Sequence, residues 1–468
     1  MSVRVYNTLT RKKEEFVPLT PGHVRIYACG VTVYDLSHVG HARSAMVFDV
    51  IQRYFRFKGY RVTFVRNFTD VEDKIIRRAN AEGVLAAELS ERYVQAFRED
   101  MAAIGVAPAD VEPKATEHIP EMVALIERLV TKGFAYTVDG DVYFEIRRFP
   151  PYGRLSGKNL DELLAGARVE VDERKRDPRD FALWKSSKPG EPAWPSPWGP
   201  GRPGWHIECS AMAMKYLGES FDIHGGGEDL IFPHHECEIA QSEADTGRPL
   251  ARYWLHNGMV TFRAEKMSKS LGNILSIREF VKRHDPDAFR LFVLGTHYRH
   301  PIEWSEERVQ ESARAVERLT RLIHDVQTFW SGAGGDSTLP DELRTFRTRF
   351  VAALDDDFNT PQALGVLFEL SHVLYEYAEH ASVDAGARAA VIVGVQEMTN
   401  LMRVLGFLER GYEPSGAPPE IERLVQERGQ ARARHDWRHA DQLRDEIQGR
   451  GFSVEDTPSG PRVTRRSA

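Results

Sequence analysis

Three groups of residues in this chain of 468 have types and spacings that could do chemistry. The first lies in residues 25–43, RIYACGVTVYDLSHVGHAR. His38 and His41, three apart, could donate to one anion, and Gly40 between them leaves the backbone open to a flat base. The second is EKMSKS at 265–270, where Lys266 and Lys269 are compact, mobile charges. Ser268, Ser270 and Gly272 make the segment a flexible loop, suited to closing over a triphosphate and neutralising charge that develops in a transition state. The third joins Cys29 to Cys209 in WHIECSAM and to His234 and Glu238 in PHHECE. Two thiols, an imidazole and a carboxylate are zinc-type donors. Each group has a plainer reading: two surface histidines at a helix start, a solvated basic loop, and two core cysteines beside a satisfied histidine. Spacing alone does not choose, because the third set is not a compact finger pattern.

The elements that must position these groups are legible around them. Ile26, Tyr27, Val31 and Val33 suit a buried strand. Met46, Val47, Val50, Ile51, Tyr54 and Phe55 recur at helical spacing, with Asp35 and Ser37 as cap-type residues before them. The histidines thus sit at the mouth of a helix, whose unpaired N–H groups suit a phosphate. Residues 61–66 read as a second strand, and 67–80 turn into a helix with Thr69 and Asp70 at its start. Thr69 is either that helix's cap or a substrate contact at a strand's carboxyl end. This βαβ order predicts a parallel sheet with ligands beyond the carboxyl ends of its strands.

Residues 120–204 interrupt the alternation: a helix over 121–132, a hairpin over 135–146 turning at Asp139 and Gly140, and a Pro- and Gly-rich ordered loop or lid over 185–204. The block is too short for a separate hydrolytic domain. Residues 205–292 return to the sheet, His234 and Glu238 being four apart on one helix face. Asp229 in GGGEDL suits ribose hydroxyls, and His256 and Asn257, after a strand at 253–255, suit adenosine. From 300 to 410 the chain reads as helices, broken at 331–341. Thr360 and Pro361 open one helix as cap and first residue, and the aspartates at 355–357 favour its dipole. Residues 411–419 are a linker by composition. In the tail, 431–468, eight Arg stand against six Asp or Glu in a chain of net charge −7. Trp437, near Arg434, Arg438 and His439, either stacks on an unpaired base or fills a small helical core.

A composition of 42% hydrophobic and 28% charged residues supports a sizeable core, and the length suggests about three domains. The charged start is no signal peptide, no stretch is apolar for long enough to span a membrane, and three cysteines make no disulfide framework. A cytoplasmic protein is expected. The negative net charge does not favour nucleic acid, but a local patch decides that point.

HVGH, followed about 230 residues later by KMSKS, resembles the class I aminoacyl-tRNA synthetases, in which the two motifs bind ATP and activate an amino acid as its adenylate. YACGVTVYDLSHVGHAR, GWHIECSAM and FDIHGGGEDLIFPHHECEIAQ resemble the cysteinyl-tRNA synthetase branch, and the similarity runs over nearly the whole chain. The resemblance implies an α/β fold: a Rossmann-like parallel-sheet catalytic domain split by an insertion, then an α-helical bundle and a small C-terminal domain. The expected segments are 1–119 and 205–305 for the catalytic halves, 120–204 for the insertion, 306–412 for the bundle and 413–468 for an anticodon-binding domain. It implies ligation of L-cysteine to its tRNA with ATP, through a cysteinyl-adenylate. It also implies one Zn²⁺ on Cys29, Cys209, His234 and Glu238 that binds the substrate thiolate, and Mg²⁺ with ATP. His38, His41, Lys266 and Lys269 would be catalytic. Gly40, Asp229, His256, Asn257 and Lys269 would hold ATP, and Thr69, Trp205 and His224 the cysteine. Arg434 and Trp437 would read the anticodon. No membrane is implicated, and a monomer is expected. The chain departs from the family at Cys237, expected to be a packing residue, and at Val463, where a Trp is common. A related ligase joining cysteine to an amino sugar in mycothiol synthesis shares the zinc site and both ATP motifs but needs no such tail. A catalytically dead RNA-binding relative would not need intact HVGH and KMSKS.

Overall fold

The computed structural model describes residues 2–157, 173–262, 265–266, 275–329, 340–381, 384–409, 419–450, 452–457 and 460–465. It divides into two compact units, Met1–Leu408 and Glu409–Ala468.

The first unit is organised on a four-stranded, all-parallel sheet in the order Ala251–Asn257, Phe221–Gly227, His23–Thr32, Arg61–Thr69. Alternation along the strands feeds two cores. Ile26, Ala28, Phe64 and Phe68 pack with Met46, Val50 and Tyr54 of the helix Val39–Phe57 on one face. Tyr27 and Val65 pack with Ile207 and Met212 of the helix Trp205–Leu217 on the other. Both faces are covered, so these strands are almost continuously buried, as parallel strands must be. From the strand His23–Thr32 the chain crosses first to Arg61–Thr69 on one side and later to Phe221–Gly227 on the other. That reversal opens a crevice at the carboxyl ends, where such sheets bind ligands. The expected α/β architecture, with helices following the sheet, is the one found.

The interruption contains the helix Ile119–Thr131 and a four-stranded antiparallel sheet, Ala135–Val138, Asp141–Phe144, Phe181–Ser186 and Gly201–Pro203. Asp139 and Gly140 take φ of 51° and 85°, the pair of left-handed residues that a two-residue hairpin turn needs. The stretch 185–204, expected as a loop or lid, is instead strapped into this sheet: Lys185 and Ser186 pair with Arg202 and Gly201, and Trp194 bridges to Gly201. Glycine and proline hide such short strands from a propensity reading.

Two helix starts differ from expectation. The helix Asp73–Glu82 is capped by Glu72, while Thr69 closes the preceding strand. The helix Thr360–His380 is capped by Asn359, whose Oδ1 accepts from Gln362 N at 3.1 Å; the Thr360 hydroxyl donates to Leu294 O at 2.7 Å. The neighbouring aspartates do not simply favour a dipole. Asp355 accepts from the Tyr54 hydroxyl at 2.7 Å and pairs with Lys58 at 3.0 Å. Buried Asp357 accepts from Tyr6 N, the Tyr298 hydroxyl and Arg299 Nε at 2.8–2.9 Å. They tie the junction between the helices Asp341–Asp355 and Thr360–His380 to Tyr6, Tyr54, Lys58, Tyr298 and Arg299 of the preceding part of the unit; the helices Glu306–Phe329 and Ala385–Val404 complete the helical region.

The second unit packs the helices Pro419–Ala433 and Trp437–Gly449 with an antiparallel hairpin, Phe452–Thr457 and Gly460–Arg465. Ile421, Leu424, Val425, Leu443 and Ile447 form its core. Most of the expected linker, 411–419, and most of the expected break, 331–341, lie outside the described residues.

Candidate active site

At the crevice lies a cleft of about 310 Å³ whose lining includes Cys29, Gly30, His38, Gly40, His41, Trp205, Asp229 and Asn257. His38 is the N-cap of the helix Val39–Phe57, in extended conformation. Its Nδ1 accepts from Gly40 N at 3.1 Å and also takes the His41 amide, while His41 Nδ1 accepts from His38 N at 3.4 Å. The rings stack at 3.8 Å between centroids. Val39 N is taken by Leu275 O at 3.2 Å. The expectation of unpaired helix amides is therefore corrected: the first turn satisfies its own donors through the two imidazoles. With Nδ1 accepting, each neutral ring carries its proton on Nε2 and becomes the donor that an anion would meet. A side chain at position 40 would bring Cβ within 2.9 Å of His38 Cε1, so glycine permits the cap. Asp35 and Ser37 do not cap: Asp35 pairs with Arg78 at 2.9 Å, and Ser37 O accepts from Ile277 N at 3.2 Å.

Behind the cleft, ligand atoms of Cys29, Cys209, His234 and Glu238 all lie within 4.8 Å of one another. Cys29 Sγ is 3.3 Å from Glu238 Oε1, and His234 Nε2 is 3.0 Å from the same oxygen. His234 stands in the irregular turn Ile231–His235 rather than on the helix Glu236–Thr246, yet still reaches Glu238. Cys29 and Glu238 also converge with His224 and His235, and His224 Nε2 is 2.8 Å from Glu238 Oε2. Burial raises the Glu238 carboxyl, but His224 and His234 outweigh it and hold it well below the usual range. Burial would lower His234, but Glu238 and Cys209 lift it to about 10. Burial and the neighbouring Cys209 push the Cys29 thiol up. Burial raises Cys209 too, yet its hydrogen bond with Cys29 and the charge of His234 bring it down to about 6. The four groups thus shift one another strongly, as closely packed donors of opposite charge preference must. The donor set fits a soft divalent ion, having two thiols and one imidazole of suitable size and burial. Cys237 is not part of it: this buried thiol pairs with the Tyr152 hydroxyl at 3.3 Å and is held up by burial.

The remaining expected residues divide between the cleft and its walls. Trp205, 38% exposed, stacks on His234 at 4.3 Å. Asp229 follows the strand Phe221–Gly227 at the cleft edge. The Thr69 hydroxyl is turned to buried Glu208 at 3.0 Å. His256 has Nε2 2.8 Å from His235 Nδ1 and Nδ1 2.8 Å from the Thr8 hydroxyl, which places its ring in the wall while Asn257 faces the cleft. Burial holds His256 down to about 3. Lys266 is described by its backbone, paired with Thr261; Lys269 lies outside the described residues. In the second unit Trp437 is 54% exposed, with Arg432 over its ring at 5.4 Å and Arg434 exposed nearby. It is not a core residue. Three wall residues were missed: His206, whose Nδ1 is 2.9 Å from His234 Nδ1, and His235 and Glu208. Their signal was adjacency, since WHIEC and PHHEC place them beside the expected ligands.

Residues 15–314 match the family described as tRNA synthetases class I (C) catalytic domain, 349–409 the DALR domain, and 415–462 the Cysteinyl-tRNA ligase anticodon binding domain. The Cysteine--tRNA ligase of Syntrophobacter fumaroxidans is 51% identical, covering 99% of both chains. That of Geobacter sulfurreducens is 52% identical over 98% of this chain and 99% of its own. The fold is that of Mycobacterium tuberculosis methionyl-tRNA synthetase in complex with methionyl-adenylate, at a TM-score of 0.61, 17% identity, and coverage of 82% of this chain and 90% of that one. The LeuRS of Agrobacterium radiobacter K84, in a ternary complex with tRNA and LeuAMS, gives a TM-score of 0.62 at 12% identity, covering 85% and 86%. With matches that run end to end at about half identity, the chain belongs to the cysteine–tRNA ligase family of class I aminoacyl-tRNA synthetases.

Proposed function

We propose that this enzyme ligates L-cysteine to its tRNA at the expense of ATP, through a cysteinyl-adenylate, with zinc on Cys29, Cys209, His234 and Glu238. The observation that carries this reading is the convergence of those four donors directly behind a cleft that also presents His38 and His41. Zinc held there would supply a soft Lewis acid for the substrate thiolate, a bond that serine's harder hydroxyl makes poorly. Loading it requires both cysteines as thiolates and His234 as the neutral imidazole, so protons leave as the metal binds. Cys29 bridges cluster and cleft, and Trp205 walls the same end, so the amino acid enters beside them. His224 and Thr69 act from behind, His224 by holding Glu238 and Thr69 by holding Glu208.

The other end takes ATP. The Nε2–H groups of His38 and His41 meet the phosphates, Gly40 leaves room above the backbone, and Asp229 and Asn257 hold the nucleoside. His256 supports that wall through His235. Mg²⁺ arrives with the triphosphate. The cysteine carboxylate attacks the α-phosphorus and pyrophosphate leaves, while Lys266 and Lys269 neutralise the developing charge. The terminal ribose hydroxyl of the tRNA then attacks the adenylate carbonyl and releases AMP. Positioning and charge stabilisation carry the rate, with no covalent enzyme intermediate. The segment boundaries expected from sequence, the anticodon role of Arg434 and Trp437, and a cytoplasmic location belong to the same proposal. Among the described residues no helix is long and apolar enough to cross a membrane.

The test is ATP–pyrophosphate exchange with cysteine, followed by transfer to tRNA or to an amino sugar. Exchange with cysteine and transfer to tRNA support the reading. Transfer to the sugar alone would move the chain to the mycothiol-type reaction.

A further inference from the structure

The ligand Cys29 does not sit in a regular strand. In the pairing of His23–Thr32 with Arg61–Thr69, Ala28 faces Arg66 and Val31 faces Phe68. Two residues, Cys29 and Gly30, therefore stand opposite one, Asn67, which is the signature of a β-bulge. On its other side the strand stops pairing with Phe221–Gly227 at Ala28. Cys29 thus has no ladder on either flank to fix it. Asn67 takes that place: its buried side chain accepts from Gly30 N through Oδ1 at 2.9 Å. Gly30 lies so close to the same residue that an added Cβ would fall 1.6 Å from Asn67 O. A side-chain amide and a missing side chain together set the bend.

We propose that Asn67 is a positioning residue for the metal centre: by holding the Gly30 amide it fixes the bulge that aims Cys29 Sγ at Glu238, 3.3 Å away. It rests on the zinc reading above and adds the device that makes the four donors converge. Asn67 is not among the residues lining the cleft, so it acts on the site through the bulge residues Cys29 and Gly30, which are. Outer groups that orient a ligand characteristically govern about ten- to a hundredfold in metal affinity. An aspartate at the position keeps the acceptor oxygen, whereas an alanine removes it.

The experiment loads the full-length protein with Co²⁺ as a spectroscopic stand-in for zinc and measures affinity by chelator competition, in wild type, Asn67→Ala and Asn67→Asp. The thiolate-to-cobalt absorption reports the sulfur ligands independently of activity, and melting of the metal-free proteins reports folding. The expected result is that Asn67→Ala binds about ten- to a hundredfold more weakly with a reduced thiolate band, at a near-unchanged metal-free melting temperature, while Asn67→Asp stays within about threefold of wild type. Wild-type affinity in Asn67→Ala, or equal losses in both variants, would overturn the inference. Should Asn67→Ala not fold, the Asn67→Asp arm still decides, because retained affinity is required there. A wild type that takes up no metal would instead overturn the zinc reading itself.

Discussion

At one end of the cleft, Cys29, Cys209, His234 and Glu238 are packed against one another and against His206, His224 and Trp205, with Cys209, His224, His234 and Glu238 buried behind the surface. At the other end His38, His41 and Asp229 line the open cleft, to which the proposed mechanism adds Lys266 and Lys269, more than 200 residues after the two histidines. On the proposed reading, the difference follows from the two ligands. A thiol is small, nearly apolar and distinguished from a hydroxyl only by its chemistry, so its site must be dry and fixed beforehand. A triphosphate is large and highly charged, and its charge moves during reaction, so its site needs donors that arrive late and act on the transition state. On that reading, one end selects and the other accelerates.

This contrast is broken most severely at the buried end. Cys209→Ser should cost more than about a hundredfold in zinc affinity, above the range for merely supporting groups, and should abolish cysteine activation. Metal analysis of the purified variant, followed by exchange kinetics, checks it. At the open end, Lys269→Ala should lower the rate of adenylate formation by about a hundredfold with little change in cysteine binding, as expected for one charge that acts on the transition state. Single-turnover kinetics would separate the two, and a change confined to the Michaelis constant would make the lysine a ground-state contact.

A third kind of surface belongs to the second unit. Trp437 is exposed and flanked by cations, the arrangement that stacks on an unpaired base. Stacking is worth about 1–3 kcal/mol, so Trp437→Ala should reduce tRNA charging by about ten- to a hundredfold while leaving cysteine activation without tRNA unchanged. Unchanged charging would remove the indole from the anticodon interface. The smallest effect belongs to Cys237→Ser, which should keep zinc at one per chain, because its sulfur faces Tyr152. Loss of zinc there would make Cys237 a ligand after all.

What sequence could show depended on how local the cause was. The strand–helix frame around residues 25–57 was legible because apolar spacing is written directly into the chain. The donor types at 29, 209, 234 and 238 were visible, but nothing in their spacing says that three distant segments meet; the family resemblance supplied that. The capping role of His38 was hidden because histidine is an unusual cap, and Asp35 and Ser37 were better candidates by type. Thr69 and His256 could be placed near strand ends, yet which way each side chain turns is decided by Glu208, His235 and Thr8, residues far off in sequence. The bulge at Cys29 and Gly30 could not be read at all, since it exists only relative to the register of a neighbouring strand.

The claim that a buried soft-metal cluster selects cysteine is tested most directly by ATP–pyrophosphate exchange with cysteine and with serine, on zinc-loaded and zinc-stripped protein. The account predicts strong preference for cysteine when loaded, lost on stripping through a fall in the cysteine rate, and restored when zinc is returned. Equal discrimination by the stripped protein, verified metal-free, would show that shape alone makes the choice and would contradict the account.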